Sequence, residues 1–197
     1  MAGTATVIRC FIAVELPPQV RRALEDLQGR LGKGRERGAK WVAPAGIHLT
    51  LKFLGDVPEE RIPLLASAMG RVAAAGSPLA LHLAGAGCFP SAERPRVLWV
   101  GMAGDAERLA KLQARMQVAM AELGFPREAR PFTPHLTLAR MRDLASPEEL
   151  QRLGSAVRAL SVPRMDFTAE EVALIRSDLL PSGAVYTVLA TSRLGSA

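Results

Sequence analysis

Apolar side chains recur at intervals of three and four residues in four stretches of the chain, and this spacing predicts four amphipathic helices. One stretch places Leu109, Leu112 and Met116 on a single stripe, which is typical of a helix packed on a core. Ser146 and Pro147, followed by two glutamates, are residue types that begin a helix. The predicted helices cover residues 19–31, 59–75, 106–123 and 147–160.

Shorter segments rich in β-branched and aromatic residues lie between these helices and predict strands. The first segment starts at Val7 and is ended by the prolines that follow Leu16. Near the end of the chain, Pro181-Ser182-Gly183 predicts a turn between two strands. The predicted strands cover residues 7–15, 48–54, 79–84, 97–100, 135–140, 167–177 and 184–192.

One arrangement occurs twice: a helix, a loop rich in glycine or proline, and then the tetrapeptide His-Leu-Thr-Leu, at 48–51 and again at 135–138. Two repeats are too few for a solenoid. They favour a single duplicated domain over residues 1–197, with one repeat in each half. We expect a bilobal α+β fold in which two antiparallel sheets line a central cleft and helices cover the outer faces.

The composition is that of a globular protein. The chain has 197 residues, of which 49% are hydrophobic and 22% charged, and no apolar run reaches the roughly 18 residues that a membrane span requires. Arg9 and Glu15 interrupt the first apolar segment, so we find no secretory signal and expect a cytoplasmic protein. Cys10 and Cys88 stand alone in apolar segments and are predicted to be reduced core thiols.

Basic residues outnumber acidic ones, 25 against 19, which gives a formal net charge of +6 and a pI of about 10.1. Most of the basic residues are arginines, whose planar guanidinium suits phosphate. The charge therefore permits an anionic partner but does not require one.

The two tetrapeptides carry the candidate chemistry. Side chains alternate across a strand, so His48 and Thr50 are predicted to share one face while the leucines between and after them are buried. His135 and Thr137 repeat this pattern. Each unit combines a proton carrier with a hydroxyl that can hold a phosphate oxygen.

Two histidines suit displacement at phosphorus, because one imidazole can accept a proton from the attacking oxygen while the other donates one to the leaving oxygen. The chain has three histidines, and His82 lacks a hydroxyl two residues later, so it is predicted to be a structural or exposed histidine. A zinc site built on His48 and His135 is an alternative, but the sequence shows no third ligand at the usual spacing. We therefore predict no metal and no other cofactor.

Several segments resemble those of the two-histidine phosphoesterases, and most closely the RNA 2′,3′-cyclic phosphodiesterases, also called 2′-5′ RNA ligases. The resemblance runs from Arg9 in the first strand to Tyr186 in the last, which is nearly the whole chain. The segments that carry it are Arg9-Cys10-Phe11-Ile12-Ala13, residues 48–55 and residues 130–140.

The resemblance implies hydrolysis of a terminal 2′,3′-cyclic phosphate of RNA to a 2′-phosphomonoester, and in some members joining of RNA halves through a 2′-5′ linkage. His48 would donate the proton to the departing 3′ oxygen, and His135 would accept one from water. Thr50 and Thr137 would hold the nonbridging oxygens. The expected partner is RNA with a cyclic phosphate end, such as a tRNA half, and the expected state is a monomer.

Six further residues are predicted to bind substrate. Arg9 and Phe11 share a face of the first strand, and Lys52 has the same parity as the first histidine. Arg140 falls on the opposite face from the second histidine unless the strand ends or bulges near Ala139. The remaining two, which would form a wall of the cleft, are Arg130 and Phe132.

Two alternatives to this function stay open from the sequence. The protein could hydrolyse another cyclic or 2′-5′ linked phosphodiester. It could also be a noncatalytic module that binds single-stranded RNA ends. Product analysis on several substrates distinguishes the first alternative from RNA 2′,3′-cyclic phosphodiesterase activity. A test for turnover distinguishes the second, because a binding module forms no product.

Overall fold

The structure is a computed structural model that describes residues 6–34, 38–180 and 183–195. Within them the four predicted helices are confirmed, and a short 3₁₀ turn, Glu59–Arg61, leads into the second one. Pro181 and Ser182 of the predicted turn lie outside the described residues. The helices are α1 (Pro18–Arg30), α2 (Ile62–Ala74), α3 (Ala106–Glu122) and α4 (Pro147–Arg158).

Every predicted strand except the first extends further than the sequence pattern predicts, and the predicted strand over 167–177 divides into two. The division follows Ala169, where the chain passes from one sheet to the other. The strands are β1 (Val7–Glu15), β2 (Ala39–Trp41), β3 (His48–Pro58), β4 (Leu79–Pro90), β5 (Pro95–Gly104), β6 (His135–Met141), β7 (Asp166–Ala169), β8 (Glu171–Leu180) and β9 (Gly183–Arg193).

The strands form two antiparallel sheets. Sheet A has the order β3-β1-β8-β9, and sheet B has the order β2-β6-β5-β4-β7. Sheet A therefore joins strands from both ends of the described chain, whereas sheet B is built mainly from the middle. The sheets contact each other through β3 and β6, the two strands that begin with the repeated tetrapeptide.

Helices cover the outer faces of both sheets, as predicted. The α2 helix packs on β8 and β9, α3 packs on α2 and β3, and α4 packs on β4 and β5. The α1 helix lies against sheet B, where Gln28 donates hydrogen bonds to the carbonyls of Val42 and Leu138 at 2.7 and 2.9 Å. Cys10 and Cys88 are free and buried, and no helix in the described ranges is long and apolar enough to cross a membrane.

The start of α4 is fixed by a capping box. The Ser146 hydroxyl accepts a hydrogen bond from the Glu149 amide, and the Glu149 carboxylate accepts one from the Ser146 amide. The same carboxylate accepts from the amide of Gly38, just before β2. The cap therefore also holds the edge of sheet B in place.

Both tetrapeptide strands carry a β-bulge at the same point. In the pairing of β1 with β3, Ala13 lies opposite Thr50 while Ile12 lies opposite Lys52, so Leu51 is the extra residue. In the pairing of β5 with β6, the extra residue is Leu138. Each bulge follows the His-x-Thr unit and reverses which residues face the cleft after it.

Candidate active site

The two tetrapeptides lie on opposite sides of one cleft. His48 and Thr50 line it from sheet A, and His135 and Thr137 line it from sheet B. The cleft has a volume of about 510 Å³. The structure thus brings together the two histidines and two threonines that the sequence singles out.

Both imidazoles are held by the same local contact. Nδ1 of His48 lies 2.8 Å from the carbonyl oxygen of Gly46, and Nδ1 of His135 lies 2.7 Å from that of Thr133. A carbonyl oxygen can only accept a hydrogen bond, so Nδ1 carries a proton in both rings. Nε2 is therefore the nitrogen that can exchange a proton with a bound molecule.

Aromatic rings enclose His48 on two sides. Phe11 stacks on it with centroids 4.3 Å apart and an interplanar angle of 24°, and Tyr186 meets it edge-on at 5.2 Å. Burial, together with the smaller effect of the positive charges of Arg21 and Arg140, lowers the pKa of His48 to about 4, against the hydrogen bond with the Gly46 carbonyl, which raises it. His48 is therefore neutral at neutral pH in the unliganded protein.

His135 has aromatic neighbours of a different geometry. Phe89 meets its ring edge-on at a centroid distance of 4.9 Å, and Trp99 lies further away at 6.4 Å. Trp99 fits here because residue 87 is glycine, where a Cβ atom would lie 2.3 Å from the indole ring. The second histidine therefore has edge contacts only, whereas the first also has a ring stacked on its face.

Two arginines supply positive charge to the cleft. Arg9 and Arg140 both line it, as does Phe11. Strict alternation would put Arg140 on the opposite face of the strand from His135. The bulge at Leu138 reverses the alternation, so Arg140 lies on the same side as His135 and reaches the cleft. The site therefore holds two cations beside its two imidazoles and its two threonine hydroxyls.

Lys52 does not line the cleft, so the predicted role in substrate binding is wrong for this residue. The bulge at Leu51 turns its side chain into the core, where it is 2% exposed and donates a hydrogen bond to the Pro126 carbonyl at 2.5 Å. Its neighbour Phe53 faces the cleft instead.

Arg130 and Phe132 are not among the residues that line the cleft, so their predicted place in one of its walls stays a prediction. Both lie in the loop before His135, where Arg130 is exposed to solvent and Phe132 packs against the main hydrophobic core. A loop of this kind has no alternation that would reveal which side chains turn inward.

The cleft also contains residues that the sequence analysis did not identify. Three of them come from the β8–β9 hairpin, which is far from both motifs along the chain, and three more come from the segment just before His48. Pairing of Ser177 with Tyr186 puts both on the cleft face, but only a correct prediction of sheet order could have found them. The main additional lining residues are Phe53, Ser177, Leu179 and Tyr186.

Metal ligands are sparse around this site. No group of three or more His, Cys, Asp and Glu side chains suited to a metal ion occurs within residues 6–34, 38–180 and 183–195. His82, the third histidine, lies away from the cleft, with Nδ1 3.9 Å from a carboxylate oxygen of Asp166.

The model of the LigT like phosphoesterase family matches residues 14–99 and, in a second match, residues 100–186. The chain belongs to this family. Among LigT-like relatives, the RNA 2′,3′-cyclic phosphodiesterase of Methanothermobacter thermautotrophicus is 32% identical over 187 residues, which is 95% of this chain and 99% of that protein. The RNA 2′,3′-cyclic phosphodiesterase of Thermus thermophilus is 38% identical over 188 residues, or 92% of this chain and 88% of that protein.

Solved structures of LigT-like proteins share the fold. The crystal structure of the Thermus thermophilus protein TT0787 superimposes with a TM-score of 0.77 and 34% identity, covering 96% of this chain and 99% of that one. The crystal structure of E. coli LigT complexed with 3′-AMP gives a TM-score of 0.75 and 27% identity, with the same coverage. The bilobal α+β architecture predicted from the sequence is therefore confirmed.

Proposed function

We propose that this protein is a metal-independent RNA 2′,3′-cyclic phosphodiesterase, which opens a terminal 2′,3′-cyclic phosphate of RNA to a 2′-phosphomonoester. One observation carries the proposal: two His-x-Thr units face each other across one cleft, with both imidazoles held in the same tautomer. The names of the LigT-like relatives support the same activity.

The reaction needs one proton accepted and one donated. Nε2 of His135 accepts a proton from water, and the resulting hydroxide oxygen bonds to phosphorus. The bond from phosphorus to the 3′ oxygen breaks, and that oxygen takes a proton from Nε2 of His48. The water has then been added across the bond, leaving a free 3′ hydroxyl and a 2′-phosphate, and the two histidines have exchanged protonation states.

The remaining polar groups of the cleft stabilise the phosphoryl oxygens. Thr50 and Thr137 each place a hydroxyl two residues from a histidine, where it can donate a hydrogen bond to a nonbridging oxygen. Arg9 and Arg140 supply positive charge for the negative charge that builds up in the transition state. None of these steps requires a metal ion.

His48 must be protonated to act as the acid, although burial keeps it neutral in the unliganded protein. An anionic phosphate next to the ring raises its pKa, because an opposite charge favours the protonated imidazole. The substrate therefore brings about the protonation that its own cleavage requires. We expect binding of a phosphate ligand to take up a proton near neutral pH.

The test is turnover of a short oligoribonucleotide that ends in a 2′,3′-cyclic phosphate. We expect a 2′-phosphate product, a bell-shaped dependence of kcat/KM on pH, and full activity in the presence of a chelator. His48→Ala and His135→Ala should each lower kcat by about 10² to 10⁴. Abolition by the chelator, or full activity in both variants, would overturn the proposal.

The same assay separates the alternatives. A protein that binds the oligonucleotide but forms no product is a binding module, and turnover confined to another cyclic or 2′-5′ linked phosphodiester changes the substrate. Joining of two RNA halves, such as those of a tRNA, would reveal ligase activity. A monomer acting in the cytoplasm is also part of the proposal, and sedimentation of the purified protein checks the oligomeric state.

A further inference from the structure

Two cations lie directly opposite each other in sheet B at the edge of the cleft. Lys40 on the edge strand β2 pairs in register with Arg140 on β6. Directly opposed residues of antiparallel strands point to the same face, and Arg140 lines the cleft. Lys40 therefore extends the cleft face by one strand, or about 4.8 Å, beyond Arg140.

The neighbouring residue pairs of β2 and β6 show which face of these strands packs on the core and which faces solvent. Ala39 and Met141 are opposed and buried, and so is Ala139, which lies opposite Trp41. The side chains of Lys40 and Arg140 alternate with these core residues and are both exposed. The cation pair therefore stands on the solvent side of the sheet, next to the site.

This arrangement has an electrostatic cost. Like charges directly opposite each other in a sheet are destabilising. In the described part of the chain no carboxylate forms an ion pair with either Lys40 or Arg140. A bound anion placed between the two side chains would remove the repulsion and form charge-assisted hydrogen bonds to both.

We propose that Lys40 binds the phosphodiester that precedes the terminal nucleotide of the RNA, so that the strand leaves the cleft over Arg140 and β2. This inference rests on the proposed function and adds a substrate class to it. A cyclic mononucleotide ends at the cleft and has no phosphate for Lys40, whereas an oligonucleotide has one. The enzyme should therefore prefer oligonucleotides.

The measurement is the ratio of kcat/KM for an oligoribonucleotide with a cyclic phosphate end to kcat/KM for a 2′,3′-cyclic mononucleotide. Lys40→Gln should lower this ratio about tenfold, the effect of losing about 1.4 kcal/mol of binding. Lys40→Arg, which keeps the charge, should retain the ratio. The matched control is Lys111→Gln on α3, a lysine outside the cleft lining, which should leave the ratio unchanged.

Salt dependence gives a second readout that does not need turnover. For binding of an oligonucleotide with a 2′-phosphate end, Lys40→Gln should reduce the slope of log K against log salt by about 0.7, the value for one phosphate contact on a single strand. An unchanged ratio and slope would overturn the inference. Equal losses in the Lys111 variant would also overturn it, because they would indicate a diffuse basic surface.

The two proposals fail in different ways. If the unaltered protein hydrolyses neither substrate, the proposed function is wrong, and the salt slope alone then decides whether Lys40 contacts the RNA backbone. If both substrates are hydrolysed and Lys40→Gln slows them equally, the function stands and the phosphate contact is wrong.

Discussion

His48 and His135 have the same backbone anchor but different surroundings. Phe11 stacks on the first ring, while the second has only edge contacts from aromatic side chains. The repeat of the sequence motif therefore does not make the two imidazoles equivalent. The asymmetry suits a reaction in which one histidine donates a proton and the other accepts one.

Lowering the pH should destabilise the protein through His48. Burial lowers its pKa to about 4 in the folded protein, against 6.5 for an ordinary histidine. The unfolded chain then binds the proton more readily than the folded protein. The contribution of neutral His48 to the free energy of unfolding is therefore fully present above about pH 6.5 and is lost as the pH falls toward 4. We expect a loss of roughly 3 kcal/mol in the free energy of unfolding from this group, and urea unfolding across this pH range would measure it.

The control is a substitution that removes the titrating group. His48→Asn should flatten the dependence of the free energy of unfolding on pH between 4 and 6.5. His82→Asn removes an imidazole outside the cleft and serves as the matched variant. A slope that is the same in His48→Asn as in the unaltered protein would contradict the prediction.

Among the elements, the two bulged strands decide which side chains reach the substrate. Strict alternation predicts the faces of the His-x-Thr units correctly, because these come before the extra residues Leu51 and Leu138. After the bulge the same rule fails for Lys52, and it would fail for Arg140 as well. A bulge depends on cross-strand pairing, which the pattern along one strand does not contain.

Substitution of Lys52 should therefore affect stability rather than contact with RNA. Lys52→Met keeps the buried aliphatic stem but loses the hydrogen bond to the Pro126 carbonyl, so we expect a loss of about 2 kcal/mol in the free energy of unfolding. The salt slope of oligonucleotide binding should not change. A slope reduced by about 0.7 would mean that Lys52 contacts a phosphate after all.

At the scale of the whole molecule, the site exists only where two sheets meet. The repeated motif, the α+β class and the bilobal cleft were all accessible from the sequence, because they follow from local periodicity and from one repeat. Tyr186 and Leu179 were not, because they reach the cleft through the position of β8 and β9 in sheet A. That the chain is a single duplicated domain stays a prediction.

The shared cleft makes the effects of the two histidines interdependent. If His48 and His135 act on one phosphorus atom, removing either already prevents the concerted proton transfers. The variant His48→Ala/His135→Ala should then lose much less activity than the product of the two single losses. Single-turnover rates of the three variants check this, and a loss equal to the product would indicate two independent sites.

Sheet A places β1 between β3 and β8, so residues near the two ends of the described chain must pair. Pairing between strands so far apart along the chain is slow to form, because the long loop between them must close before the stabilising contacts are made. On the ribosome, sheet B can be completed once β7 has emerged, whereas sheet A must await β8 and β9. A nascent chain stalled after Ala169 would carry both histidines yet have no Tyr186 beside the first.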